Sequence, residues 1–395
     1  MPGISKRAST LQESAIRKLE ATLALHKDVH FHRLNIGQPD VPTPTPILDA
    51  IRSFQPKVVA YGPASGLPEC REAAAQYHRR WCPSLTWRDV AVTTGGSEAL
   101  LFAFTVICDP GDEIIVPEPY YTNYNGFATV AGVRIKAVRT HLADGFALPS
   151  DAALDRLVTP RTKAVLFSNP GNPTGAIYGD ADLRRLVAWA QRHDLYVIAD
   201  EVYRRIWFTA PPTSVLEIDD AAEHVVVVDS LSKTYSSCGL RLGFLITRNA
   251  LLMEKVGRMG QARLGPQPLA QHAGIAGLAL DEDYYTEIRG VYRARVEALV
   301  AAFDQIEGVT APTPEGAFYA MVELPIDDAD RFARYLATTF RHEGESVVVA
   351  PGFGFYADPS DGRREIRVAA VLDEARVSRA VSLLGRALAG YPGRR

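Results

Sequence analysis

The chain has 395 residues, of which 47% are hydrophobic and 23% charged, with a formal net charge of −3. That length suits roughly two domains of about 100–200 residues each, and the apolar content excludes global disorder. The basic residues are scattered and leave no electrostatic footprint for nucleic acid. Cys70, Cys82, Cys108 and Cys238 show neither CxxC spacing nor disulfide density, which suits a reducing compartment, and no metal site is expected. The opening Met-Pro-Gly-Ile-Ser-Lys-Arg leads into an amphipathic stretch and not into the apolar core of a signal peptide. The longest apolar run, 99–108, is too short to span a bilayer. A cytoplasmic protein with no membrane partner is expected.

In chain order, residues 1–30 read as an arm with a short helix over 11–24. Prolines at 39, 42, 44 and 46 then hold 38–46 extended, because each disfavours helix in its predecessor. From about 47 to 281, helical segments alternate with short β-branched runs. Strands are expected at 90–93, 113–116, 134–138, 164–167, 196–199, 225–228 and 243–246. Helices are expected at 67–80, 98–108, 124–131, 182–193 and 250–260. Alternation at these lengths predicts an α/β fold with a mostly parallel seven-stranded sheet covered on both faces. A long charged helix at 284–306 leads to further strands at 318–323, 347–349 and 365–368, read as a smaller α+β domain. The expected division is an arm and closing segment at 1–46, a large domain at 47–283 and a small domain at 284–395.

Open α/β sheets bind ligands at the carboxyl ends of their strands. The strand at 164–167 ends in Ser168-Asn-Pro-Gly-Asn172-Pro-Thr-Gly175, and the strand at 196–199 in Asp200-Glu-Val-Tyr203. The strand at 225–228 ends in Asp229-Ser230-Leu-Ser232-Lys233, with Arg241 eight residues past the lysine. A lysine at such a strand mouth can form an imine with an aldehyde, while hydroxyls and a guanidinium hold a phosphate. Aldehyde plus phosphate describes pyridoxal 5′-phosphate. Its chemistry needs, besides Lys233, an acid partner for the pyridine nitrogen, donors to the ring hydroxyl and an anion cradle. Asp200 fits the first role, though alone it reads equally as a helix N-cap. Tyr203 and Asn172 fit the second. Gly95, Gly96 and Ser97 lie between a strand and a helix start, where backbone amides bind phosphate, and Ser230, Ser232 and Arg241 complete that cradle. The glycines do not follow G-x-G-x-x-G, so a dinucleotide site finds no support.

Asn169-Pro-Gly-Asn-Pro-Thr-Gly175, Ala199-Asp-Glu-Val-Tyr203 and Ser230-Leu-Ser-Lys, followed by Arg241-Leu-Gly243, resemble the motifs of fold-type I pyridoxal phosphate enzymes of the class I/II aminotransferase family. The resemblance runs from about residue 34 to the end. Leu34-Asn-Ile-Gly-Gln-Pro-Asp40 and Thr93-Thr-Gly-Gly-Ser-Glu-Ala99 bring it nearest to bacterial proteins labelled aspartate aminotransferases. It implies that Arg367 grips the substrate α-carboxylate, that Asn35-Ile-Gly37 closes over it, and that Tyr121 stacks on the pyridine ring. It implies that Tyr61 reaches the phosphate of a neighbouring subunit, so that the active unit is a homodimer with shared sites. Without the resemblance, Arg367 reads as a strand-edge arginine and Tyr121 as core. One aspartate-specific branch carries a lysine where this chain has Ser97, which leaves aspartate recognition open. Arg263 lies near, with an offset of about two residues, the segment from which another branch sends an arginine to a distal carboxylate. An interface ion pair or a surface position accounts for Arg263 equally well.

The function expected is transfer of an amino group between an L-amino acid and a 2-keto acid, with Lys233 as covalent anchor and proton shuttle. The alternative keeps the cofactor but changes the chemistry to β- or γ-elimination or replacement, oxidation or cyclisation. A regulator built on this fold is disfavoured, since the roughly 30 residues before the proline-rich segment leave no room for a DNA-binding module.

Overall fold

The computed structural model describes residues 2–11 and 18–395. Its strands are β1 (His30–Arg33), β2 (Val90–Thr93), β3 (Glu113–Glu118), β4 (Arg134–Arg139), β5 (Thr162–Ser168) and β6 (Tyr196–Asp200). They continue with β7 (Val225–Ser230), β8 (Gly243–Ile246), β9 (Tyr319–Glu323), β10 (Glu345–Val348), β11 (Ala350–Pro351) and β12 (Glu365–Ala369). Seven of them form one sheet in the order β2-β8-β7-β6-β5-β3-β4. Every pairing from β7 to β4 is parallel, and β8 runs antiparallel to both its neighbours. The fold is the expected α/β sheet.

The valine run of β7 explains why the sheet is covered on both sides. Val225 and Val227 join one apolar cluster, Val226 and Val228 another, because successive side chains point to opposite faces. A strand buried on both faces has no polar positions to alternate with. Helices Pro68–His78 and Asp180–Arg192 close the first face, supplying Ala74, Leu186 and Trp189. Gly96–Ile107, Asn123–Ala131 and Ala250–Arg263 close the second, with Phe104, Tyr124 and Val256. A separate cluster gathers around the three-stranded sheet β11-β12-β9 and the parallel pair β1-β10, under helices Glu282–Phe303, Ala329–Thr338 and Glu374–Gly390.

The strands lie where the periodicity puts them, several of them lengthened by one or two residues. Several features differ from expectation, the unexpected helix Pro268–Leu278 among them. The extended segment ends early: helix Thr45–Ser53 starts inside it, with Pro46 in its first turn, where a missing N–H costs nothing. Part of the helix expected at 11–24 lies outside the described residues, and the described part holds only Glu20–Leu23. The reading placed no strand at 30–33, yet β1 pairs with β10 more than 300 residues away, a contact that no local pattern announces.

Candidate active site

A cavity of about 600 Å³ opens at the carboxyl ends of the central parallel strands, within the size range of small-molecule sites. Asp200 and Ser230 are the last residues of β6 and β7. Asn172, Tyr203 and Lys233 follow β5, β6 and β7 by a few residues, and all five line the cavity. Lys233 Nζ donates to the Gly37 carbonyl at 2.7 Å, which brings the N-terminal segment across the mouth. Gly37 is required there, since a Cβ would fall on the Tyr319 hydroxyl.

Gly96, Ser97, Ser230, Ser232 and Arg241 collect at one end of the cavity. Gly96 and Ser97 begin helix Gly96–Ile107, so unpaired backbone N–H groups face this end. Gly95 turns at φ 77°, and a Cβ on it would come 2.6 Å from Arg241 Nη2. Arg241 itself sits at φ 54°, a left-handed conformation costing about 1–3 kcal/mol that concentrates at ligand clamps. Its Nη1 donates to the Cys238 carbonyl at 2.9 Å. Three serine hydroxyls, a guanidinium and a helix N-terminus make a donor set suited to a phosphate.

Asp200 is 5% exposed. Its Oδ2 accepts from Tyr124 Oη at 2.8 Å, and its Oδ1 from the Val202 amide at 3.4 Å. Burial pushes its carboxyl up to about 6, against the pull of the Tyr124 and Val202 hydrogen bonds. Between pH 3.8 and about 6 the folded chain thus keeps a proton that the unfolded chain releases. Stability therefore falls as pH rises through that window. A carboxylate held at this cost is suited to meet a cation. His78 is fully buried with its Nε2 3.3 Å from Asp229 Oδ2.

Arg367, on β12, is 1% exposed. Its Nη2 donates to the Asn35 carbonyl at 2.5 Å and its Nη1 to Asn172 Oδ1 at 3.2 Å. The guanidinium lies over the Tyr319 ring, 4.5 Å from its centroid, while Nε has no hydrogen-bond partner. Among the described residues no carboxylate lies within ion-pair distance of it. A buried, permanently charged group without a counterion is costly. Its chemistry calls for an anion in the cavity.

Three comparisons with known proteins agree with this geometry. The family described as Aminotransferase class I and II matches residues 29–384. The chain belongs to that family. Aspartate/prephenate aminotransferase of Thermus thermophilus is 32% identical over 366 residues, covering 90% of this chain and 92% of the relative. Aspartate aminotransferase of Thermotoga maritima is 31% identical over 356 residues, covering 89% and 92%. Among solved structures, the Thermus thermophilus aspartate aminotransferase with maleate superposes with a TM-score of 0.89 at 30% identity, over 98% of this chain and all of that one. This class I/II aminotransferase is therefore a transferase of the fold-type I architecture, and its relatives favour transamination over elimination, replacement, oxidation or cyclisation. The family is one of pyridoxal phosphate enzymes.

Of the residues singled out in the sequence, Gly37, Gly96, Ser97, Tyr121, Asn172, Asp200, Tyr203, Ser230, Ser232, Lys233, Arg241 and Arg367 line this one cavity. Three do not. Gly95 lies just behind it, shaping the turn. Tyr61 is 84% exposed. The guanidinium of Arg263 pairs with Glu98 and reaches the Ala64 carbonyl at 3.0 Å, because the end of its helix packs against the turn at 94–98. The sequence reading missed Tyr124, whose place at the start of the expected helix at 124–131, three residues past Tyr121, was the available signal. It also missed Tyr319, whose hydroxyl meets that of Tyr203 at 2.9 Å; nothing local marks that residue.

Proposed function

We propose that this aminotransferase holds pyridoxal 5′-phosphate in the cavity and exchanges the amino group of an L-amino acid, bound through its α-carboxylate at Arg367, with a 2-keto acid. The observation that carries the reading is a buried guanidinium without a counterion, facing the same cavity as a lysine at the end of β7. The donor set fits the cofactor: Gly96, Ser97, Ser230, Ser232 and Arg241 for the phosphate, Asp200 for the pyridine nitrogen, Tyr203 and Asn172 for the ring oxygen, and Tyr121 for the ring face. When bound, the cofactor supplies an aldehyde for amine exchange and a conjugated ring that stores the electron pair left when Cα–H breaks.

The chain's own residues do the rest. Lys233 Nζ anchors and, once displaced by the incoming amine, carries the proton lost from the substrate Cα. Asp200, already desolvated, keeps a cationic nitrogen protonated opposite it. Burial and the Tyr319 hydroxyl push the Tyr203 phenol up, so Tyr203 remains a hydrogen-bond donor at neutral pH. Arg367 fixes the substrate by a bidentate pair, and the 35–37 segment excludes water above it.

The division at 1–46, 47–283 and 284–395 belongs to this reading, supported by separate apolar clusters for the seven-stranded and three-stranded sheets. So does a homodimer with shared sites. The exposed Val58, Val59, Tyr61 and Leu264 offer a surface for a second copy. We take the enzyme to be cytoplasmic: all four cysteines are free, and among the described residues no helix is long and apolar enough to cross a membrane.

Borohydride reduction of the cofactor-loaded protein followed by peptide mass spectrometry tests the assignment. The reading expects the cofactor mass on Lys233; the mass on another lysine, or none, would sink it.

A further inference from the structure

A second cluster of chemistry-bearing side chains lies away from the cavity. β1 runs parallel to β10 with His30 opposite Glu345 and His32 opposite Val347. Alternate residues of a strand share a face, so His30, His32 and Glu345 project from the same side of the pair. Their donor atoms all lie within 4.8 Å of one another. The two imidazoles meet edge to face with centroids 4.8 Å apart, and His32 Nε2 is 3.0 Å from Glu345 Oε1.

We propose that His30, His32 and Glu345 bind one borderline divalent first-row cation of the Zn²⁺ kind. Imidazoles with a single carboxylate select such ions over the hard Mg²⁺ and Ca²⁺, which prefer oxygen ligands. Side-chain rotation brings donors this close onto a shared ion at about 2.0–2.2 Å, with water in a fourth position. His32 is buried at 4% exposure, and its Nδ1 has no hydrogen-bond partner, so the ring has coordinating capacity to spare. Arg379 Nε donates to Glu345 Oε2 at 2.7 Å. That bond holds the carboxylate with Oε1 turned toward His32, as outer partners of metal-binding carboxylates do. His30 is exposed and gives the ion a way in.

The ion acts as a clasp. β1 leads straight into 35–37, whose Asn35 and Gly37 carbonyls accept from Arg367 and Lys233. Tying β1 to β10 therefore stiffens the segment that crosses the cavity mouth, through a contact between chain positions 313 residues apart.

The test is calorimetric titration of tag-free, chelator-stripped protein with Zn²⁺, alongside thermal melts. One saturable Zn²⁺ per chain is expected, with a rise in Tm that the same concentration of Mg²⁺ does not give. His30→Ala removes an exposed ring and should leave the fold intact, and Glu345→Gln keeps the side chain's shape. Each should weaken Zn²⁺ binding at least ~10-fold, and Co²⁺ loading should give a visible absorption band that both variants lose. No saturable binding up to about 1 mM Zn²⁺, a threshold near −4 kcal/mol, would overturn the proposal. Equal binding by wild type and both variants would do the same.

Discussion

The two ends of the cavity are built by different means. At the end lined by serines and Arg241, Ser230, Ser232, Lys233 and Arg241 come from one short stretch at the end of β7, and the facing amides from the start of a single helix. At the other end, Arg367 on β12 meets the Asn35 carbonyl and Asn172, which lie 332 and 195 residues away in the chain. The first end is built on the seven-stranded sheet and the helix that packs on it. The second exists only when the N-terminal segment, the 169–175 loop and the three-stranded sheet come together. The first end is assembled from neighbouring segments of one sheet, the second from segments far apart in the chain.

Substitutions at the two ends should fail differently. Lys233→Ala should lower the rate of amino transfer by at least ~10²–10⁴-fold, with unfolding of the free chain changed little. A matching loss of stability would mean that the lysine's bond to the Gly37 carbonyl dominates its role. Arg367→Met should cost ~10²–10⁴-fold in kcat/KM, the worth of two charge-assisted hydrogen bonds at about 1.5–3 kcal/mol each. In urea melts of the unloaded protein the same variant should be no less stable than wild type, because it removes a buried charge that has no counterion. A large destabilisation would show that the guanidinium is structural.

Asp200→Asn sharpens the contrast through pH. Wild-type Asp200 must lose a proton that burial makes expensive to lose, so its folded form is penalised above about pH 6 and not below 3.8. The variant should stabilise the free chain by about 1–3 kcal/mol at pH 7, with the gain vanishing toward pH 4. Melts across that range check both sign and window, and a pH-independent difference would contradict the assignment. Arg263→Ala should have the smallest effect, about 1 kcal/mol on stability for a partly buried ion pair. The ranking of amino donors should stay unchanged if the Glu98 pair is its whole role, and selective loss of acidic donors would assign Arg263 to substrate recognition.

What the sequence made legible follows the same divide. The β-branched runs at 225–228 and 196–199 marked buried parallel strands, and reading their ends located Lys233, Asp200 and Tyr203. Those signals are local, because strand periodicity and strand-end position act over a few residues. Arg367 came from likeness to a family and not from its surroundings, since Glu365-Ile-Arg-Val-Ala looks like any edge strand. Tyr319, the β1–β10 pair and the bond from Arg263 to Glu98 depend on contacts between distant segments, which leave no period or turn chemistry behind. Arg263 is held by a carboxylate on a neighbouring helix, a pairing between residues 165 apart in the chain.

The most direct test of the central claim is to follow nitrogen. With a ¹⁵N-labelled amino donor and an unlabelled 2-keto acid, the account predicts that the label appears in the new amino acid in step with the keto acid consumed. It also predicts that Lys233→Ala abolishes this transfer. Release of the label as ammonia, with turnover continuing in the absence of any keto acid, would contradict it.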